Sequence, residues 1–508
     1  MFETLEKINS VINDFVWVKV GLILLIGTGI LMTIMNRGFQ ITHIKEWWKT
    51  TIGSVFKKNN KVTKNTDQGS VSQFQALCTA LAATIGTGNI AGVATAIVIG
   101  GPGAVFWMWI AAFFGMMTNF SENVLGIYYR RKNSEGEWSG GAMYYLRDGL
   151  GKIKGCKTIG KVLAVLFSCF AILASFGIGN WGQVNKIVLN IESAFFSEET
   201  LDKIGYAFGD VSWVAVFIGI LLVILGGLII LGGLQRIASV AEKVVPFMAV
   251  AYIVGAFIVF CVHIDKVGAI FAAIFRFAFG VEAVEGAVVG IALKKVIVEG
   301  CRRGVFSNEA GLGSSVMVHC NSNVVEPVRQ GMWGIFEVFA DTFVVCTMTA
   351  VVVLSSGMIN LETGMAVEGV KDATLVAQTF RGVFGKPGEI FIAVAMLLFA
   401  FTTVLGWSHY GSKSVEYLLG LKAAKIYKGI FVILIIGGAL MTSSIAWDIS
   451  DTFNGLMMLP NLVGVIVLSP VVAKITKNYI DRRIKGEKVE PMISVFPDIQ
   501  KEQAAKLD

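Results

Sequence analysis

Residues Gln75–Gly115 read QALCTALAATIGTGNIAGVATAIVIGGPGAVFWMWIAAFFG. The stretch is long enough to cross a bilayer twice, yet Gly86-Thr87-Gly88-Asn89 interrupts its first half. Backbone groups freed inside hydrocarbon cost on the order of several kcal/mol each. Such a break is tolerated where the unwound backbone lines a polar site, the device of discontinuous helices in secondary transporters.

Composition agrees. The chain has 508 residues, 55% of them hydrophobic and 16% charged, and a mean hydropathy of +0.68. A soluble domain carries about 25% charged residues. Apolar runs near the length of a spanning helix recur, so the expected class is an all-α polytopic membrane protein. The 57 glycines suit close helix packing. Seven cysteines (78, 156, 169, 261, 301, 320 and 346) match no zinc or CxxC spacing and read as small apolar residues. The net charge of +7 fits basic cytoplasmic loops; no nucleic-acid partner is expected. Lys7 stands against Glu3, Glu6 and Asp14 before a full-length apolar run, so the first run reads as a retained span rather than a secretory signal.

Eleven spans are expected, near 17–36, 73–100, 104–129, 160–189, 211–233, 241–262, 267–298, 329–355, 388–418, 424–445 and 451–473. Basic residues then alternate by side. Lys45, Lys49, Lys57, Lys58 and Lys61 follow the first span, Arg130, Arg131 and Lys132 the third, Lys294, Lys295, Arg302 and Arg303 the seventh, and Arg482 and Arg483 the last. The segment 191–210 is acidic, with Glu192, Glu198, Glu199, Asp202 and Asp210. The positive-inside rule places the N-terminus outside and the C-terminus in the cytoplasm, in the cell membrane. With the first span set aside, ten divide into two fives of opposite orientation, as in an inverted repeat whose first helices are broken. The expected divisions are 1–72 (extra span and basic loop), 73–263 (first repeat), 264–475 (second repeat) and 476–508 (cytoplasmic tail). The expected breaks are Gly86–Asn89 and Phe279-Gly280.

The first break offers carbonyls and hydroxyls to a hard cation such as Na+, and the half-helix start beyond it offers amides to a carboxylate. Gly177, Gly179 and Gly182 spell GxGxxG, but inside a span and with no preceding strand, so dinucleotide binding is excluded. Asn180 and Gln183 share a face and suit a cavity or a neighbouring helix. Thr402-Thr403 can supply hydroxyl oxygens, or back-bond to their own helix, and Trp407 lies one turn on. Glu122, Glu282, Glu285, Glu337 and Asp341 lie in or near spans and keep proton coupling open, or serve as structural partners. The run from Gly304 to Gly313, GVFSNEAGLG after Arg302-Arg303, reads as a cytoplasmic ordered loop, re-entrant turn or gate.

Gly100-Gly101-Pro102-Gly103-Ala104-Val105-Phe106-Trp107-Met108-Trp109-Ile110, continuing to Gly115, resembles the signature of the alanine/glycine:cation symporter family, as do Gly86–Asn89 and Arg303–Gly313. The likeness runs from about 17 to 475. It implies a LeuT-type 5+5 inverted repeat with one extra N-terminal helix, importing alanine or glycine with Na+, or with H+ as the alternative coupling ion. It further implies a Na+ shell of the Ala82 and Ile85 carbonyls and the Thr402 and Thr403 hydroxyls. The substrate carboxylate would meet amides at Thr87, Gly88 and Asn89. Gln183, Phe279, Gly280 and Trp407 would enclose the rest. For a second sodium the resemblance offers Thr84 and Asn89 as partners, which do not complete a shell. No organic cofactor and a monomer are expected.

Rival classes find less support. Gly155-Cys156-Lys157-Thr158 lacks the glycines of a phosphate-binding loop, and neither HExxH nor GxSxG is present, so an ATP-driven pump and an intramembrane enzyme are disfavoured. A channel fits the spans but not two paired breaks.

Overall fold

The computed structural model describes residues 2–57, 62–64, 69–280, 287–367, 372–441 and 445–507. Glu282 and Glu285 fall outside the described residues.

Helix α1 occupies residues 2–35 and passes through a π-helical stretch, Phe15–Gly21. Next come α2 (Gln73–Thr84) and α3 (Gly88–Gly100), two halves of one crossing bent by 54°. Ser72 starts α2 with a capping box: its hydroxyl accepts from Gln75 N, and the Gln75 side chain accepts from Ser72 N. Gly101, at φ +75, ends α3 and turns the chain through Pro102 into α4 (Ala104–Tyr129). Then follow α5 (Lys157–Phe195), α6 (Trp213–Ile230) and α7 (Gly233–Val262).

The second half holds α8 (Val267–Ala278), α9 (Ala287–Asn308), the single turn α10 (Val316–His319) and α11 (Pro327–Ser355). It continues with α12 (Asp372–Phe384), α13 (Lys386–Leu419), α14 (Leu421–Ile433), α15 (Ile445–Val467) and α16 (Ser469–Tyr479). Short antiparallel pairs, Arg131–Lys132 with Trp138–Ser139 and Tyr206–Phe208 with Val211–Ser212, close two of the loops.

Among the described residues, seven helices are long and apolar enough to cross a membrane, and nine if each bent pair is one span. The expected seventh span is not one helix: α8 stops at Ala278, and α9 runs ten residues beyond the expected end at 298. The expected tenth is divided, because α14 ends at Ile433 and a separate turn, Ile435–Ala439, follows.

Helix α4 packs along α9 and α11, and α3 along α9. Helix α13 touches α5 and α14 on one side and α2 on the other, so it forms the seam between two groups of helices. Contacts are close where side chains are small: a Cβ at Gly334 of α11 would lie 2.4 Å from Asn119 Oδ1 of α4. Helix α1 packs against α4 and α15. There Trp17 Nε1 donates to the Asp451 carbonyl at 3.3 Å, Asn13 Nδ2 donates to the Asp451 carboxylate, and Arg302 of α9 pairs with that same carboxylate. At the opposite end a parallel bridge pairs Val71 with Ser322. The Arg130 guanidinium collars it, donating to the carbonyls of Cys320, Ser322 and Val324 and stacking over Trp138 at 3.9 Å.

Candidate functional site

The break between α2 and α3 is held by its own side chain. Asn89 Oδ1 accepts from Gly86 N at 2.9 Å, closing the unwound turn. Asn89 Nδ2 then donates to Asp341 Oδ1 of α11 at 2.6 Å. Asp341 also accepts from Ser307 of α9 at 2.7 Å and from Thr342 at 2.9 Å. The Asn89 side chain thus fixes the break against the second half of the chain.

On the other side of the break stands α13. Thr403 Oγ1 donates to the Ala82 carbonyl at 3.1 Å and to the Phe399 carbonyl at 3.0 Å. A Cβ on Gly86 would fall 2.5 Å from Thr403 Oγ1, so glycine is what lets the break lie on that hydroxyl. Ala82, Thr403 and the Phe399 carbonyl therefore converge. Ile85 ends α2 within the same break, fully buried. The Thr402 hydroxyl lies beside Met248 Sδ at 3.7 Å and shares the Phe399 carbonyl at 3.0 Å, so it points toward α7 rather than at Ala82.

Gln183 comes from α5, just past a π-helical turn at Gly177–Trp181. Its Oε1 faces Thr87 N at 3.4 Å, and its Nε2 is anchored on the Ile178 carbonyl at 3.1 Å. Trp407 of α13 presses on Gly179, where a Cβ would sit 2.3 Å from it. Thr87, Gly88, Asn89, Gln183 and Trp407 thus line one buried centre. Thr84 and Thr87 are 3% and 2% exposed, and among the described residues their hydroxyls have no hydrogen-bond partner. Buried hydroxyls are normally bonded, so two without partners in one break make it a candidate binding place.

Phe279 and Gly280 do not join them. Phe279 is 56% exposed and packs on the Phe106 ring at 5.0 Å, away from the centre. A different interruption does join: Glu309–Ser315, between α9 and α10, which overlaps the run Gly304–Gly313 that the sequence offers as a cytoplasmic ordered loop, re-entrant turn or gate. It is buried throughout. Phe306, the last aromatic of α9, comes within 3.1 Å of where a Gly88 Cβ would stand. Glu309 Oε1 accepts from Trp407 Nε1 at 2.9 Å, and its Oε2 accepts from Ser314 at 2.6 Å. Glu309 is at φ +54, a left-handed conformation rare outside glycine, and Gly311 and Gly313 are at +92 and +73. Strain of this kind, about 1–3 kcal/mol, collects at working sites.

The remaining polar candidates are tied into the frame. Asn180 donates to the Phe431 carbonyl of α14 at 3.0 Å. Glu122 takes the Asn461 amide, which also holds the Gly311 carbonyl at 2.9 Å. Glu337 meets His319 at 2.8 Å.

An apolar helical bundle in which a broken crossing meets the buried interruption between α9 and α10 at hydroxyls, amides and a tryptophan defines a multi-pass membrane transporter. Its fold matches that of MhsT, solved in complex with L-phenylalanine, with a TM-score of 0.53 at 14% identity, over 81% of this chain and 99% of that one. A model of the sodium:alanine symporter family matches residues 2–493, and the chain belongs to that family, whose members are transporters and not enzymes. It is 40% identical to the sodium/alanine symporter AgcS of Methanococcus maripaludis, over 92% of this chain and 96% of that one. It is 34% identical to the probable sodium/glutamine symporter GlnT of Bacillus subtilis (96% and 93% covered). To the putative sodium/proton-dependent alanine carrier protein YrbD of the same organism it is 33% identical (95% and 93%).

Proposed function

We propose that the chain imports a small neutral amino acid, alanine or glycine, together with Na+ by alternating access. The observation that carries this reading is the meeting of the Ala82 carbonyl with the Thr403 hydroxyl across the α2–α13 seam, beside the partnerless Thr84 and Thr87 hydroxyls. Na+ prefers hard oxygen donors, and Ala82, Ile85, Thr403 and the Phe399 carbonyl supply them, with Thr402 joining only once its hydroxyl rotates away from Met248. The substrate carboxylate sits at the start of α3, where the Thr87 and Gly88 amides and the helix dipole favour an anion. Gln183, Trp407 and Phe306 enclose a short side chain. The names of the relatives AgcS and YrbD support alanine, while that of GlnT warns that pocket shape within this family decides the side chain.

Binding of Na+ holds the first break in one arrangement, the amino acid completes it, and the two helix groups rock about the α13 seam. The driving force is the Na+ gradient plus the membrane potential, about 2.3 kcal/mol per charge per 100 mV. A proton is the second reading for the coupling ion, favoured by the Glu309 carboxylate on Trp407 at the centre. The N-terminus lies outside, the C-terminal tail in the cytoplasm, and the chain works as a monomer of two five-helix repeats behind α1.

The test is labelled alanine uptake into proteoliposomes under an inward Na+ gradient against an equal choline gradient at fixed pH. Accumulation with Na+ alone is expected. Equal accumulation in both would overturn sodium coupling, and no accumulation in either would overturn the substrate.

A further inference from the structure

A cavity of about 210 Å³ lies between the two helix groups at the end of the molecule that carries the Val71–Ser322 bridge. One wall comes from the segments just before α2 and just after α10, at Val71 and Asn321. The other comes from α13 and α14, at His409, Lys413 and Lys428. His409 is one helical turn beyond Gly406, whose Cβ position abuts Ala83 of α2 at 2.6 Å, so the cavity continues the same seam that holds Ala82 and Thr403. Asn321 Nδ2 and His409 Nε2, 3.4 Å apart, join its two walls.

Its charges are unusual in how they pair. Lys413 meets Glu416 at 2.9 Å, and Lys425 meets Glu135 at 2.8 Å. Among the described residues, the Lys428 ammonium and the Glu137 carboxylate, both on the cavity wall, have no hydrogen bond or ion pair. Lys428 feels Glu137 and Glu416 as opposite charges and Lys413 and Lys425 as like ones. One free cation and one free anion on a small polar wall complement a zwitterion. An amino acid of six heavy atoms fills about three water volumes, ~90 Å³, so the space suffices.

We propose that this cavity is a transit site on the release path, in which Lys428 takes the α-carboxylate and Glu137 the α-ammonium of the departing amino acid. It rests on the transport reading above, and adds a second, inner binding step to it. When the Asn321–His409 contact opens, the substrate moves along the seam into a site that is wetter and weaker than the centre.

The test measures half-saturation for alanine separately at the two faces, in intact expressing cells (outer) and in everted vesicles (inner). Lys428→Gln and Glu137→Gln should each raise the inner value about tenfold, as loss of one charge-assisted hydrogen bond does, and leave the outer value unchanged. Lys428→Arg should restore the inner value. Both side chains are partly buried, so an unchanged outer value and rescue by Lys428→Arg serve as the check that the variants fold. Equal shifts at both faces, an unmoved inner value, or an inner shift in Na+ dependence alone would overturn the transit site while wild-type transport stands. Absence of alanine transport by the wild type would overturn the transport reading and the transit site together.

Discussion

Thr403 donates to two carbonyls at once, Ala82 across the seam and Phe399 on its own helix. One hydroxyl hydrogen cannot serve both fully, so the hydroxyl ties α2 to α13 by a shared bond, and on the proposed sodium reading a cation would replace that tie by taking all three oxygens. Thr403→Ala should abolish Na+-stimulated alanine uptake while leaving the purified protein monodisperse. Thr403→Ser, which keeps the oxygen, should retain most of it. Uptake by the alanine variant at the wild-type rate would remove this hydroxyl from the sodium site. At this scale the sequence is legible where polarity interrupts an apolar run: Gly86, Thr87, Asn89, Gln183 and Trp407 all stand out and all reach the centre. Phe306 and Glu309 stand out only within the run Gly304–Gly313, read as a cytoplasmic ordered loop, re-entrant turn or gate, because Arg302-Arg303 just before them reads as a membrane boundary. In the fold Arg302 is neutralised by Asp451, 149 residues on, and no local pattern reveals that pairing.

Among the elements, the second break is the more strained. Gly313, at φ +73, has Asn461 Cγ only 2.7 Å from where a Cβ would be. Gly313→Ala should therefore destabilise by about 1–3 kcal/mol, read as a lowered thermal midpoint in detergent. Gly382 lies inside α12 with nothing near its Cβ position, and Gly382→Ala should leave the midpoint unchanged or raise it, by about 0.5–1 kcal/mol. An equal fall in both would mean that the break carries no strain. The pairing of elements was harder to read than their presence. Helix ends follow from caps such as Ser72 and from glycines such as Gly101. The choice between Phe279-Gly280 and Glu309–Ser315 as the working break depends on which one faces α3 and α13, and that is decided by packing.

For the whole molecule, loops 130–140 and 196–212 lie on either side of α5, which alone separates them as a crossing. With basic residues cytoplasmic, a cysteine at Ser134 should react with an impermeant maleimide in everted vesicles only, and one at Asp210 in intact cells only. The reverse pattern would invert the molecule. Labelling of both on one side would remove α5 as a span. Composition alone indicates the class, because 55% hydrophobic residues leave few alternatives. It does not reveal that α1 is wired into the frame through Trp17 and Asn13 on Asp451, since those contacts join opposite ends of the sequence.

The Val71–Ser322 bridge has a consequence for biogenesis. Val71 N donates to the Asn321 carbonyl at 3.0 Å, and Asn323 N donates to the Val71 carbonyl at 2.9 Å. The rung that seats the start of α2 is therefore made about 250 residues later than α2 itself. At about 5–20 residues per second, the ribosome needs on the order of tens of seconds to supply it. During that interval α2 and α3 must wait in or beside the insertion machinery with their polar break unsatisfied. Nascent chains arrested before residue 323 should stay crosslinkable to that machinery, and those arrested well beyond it should be released.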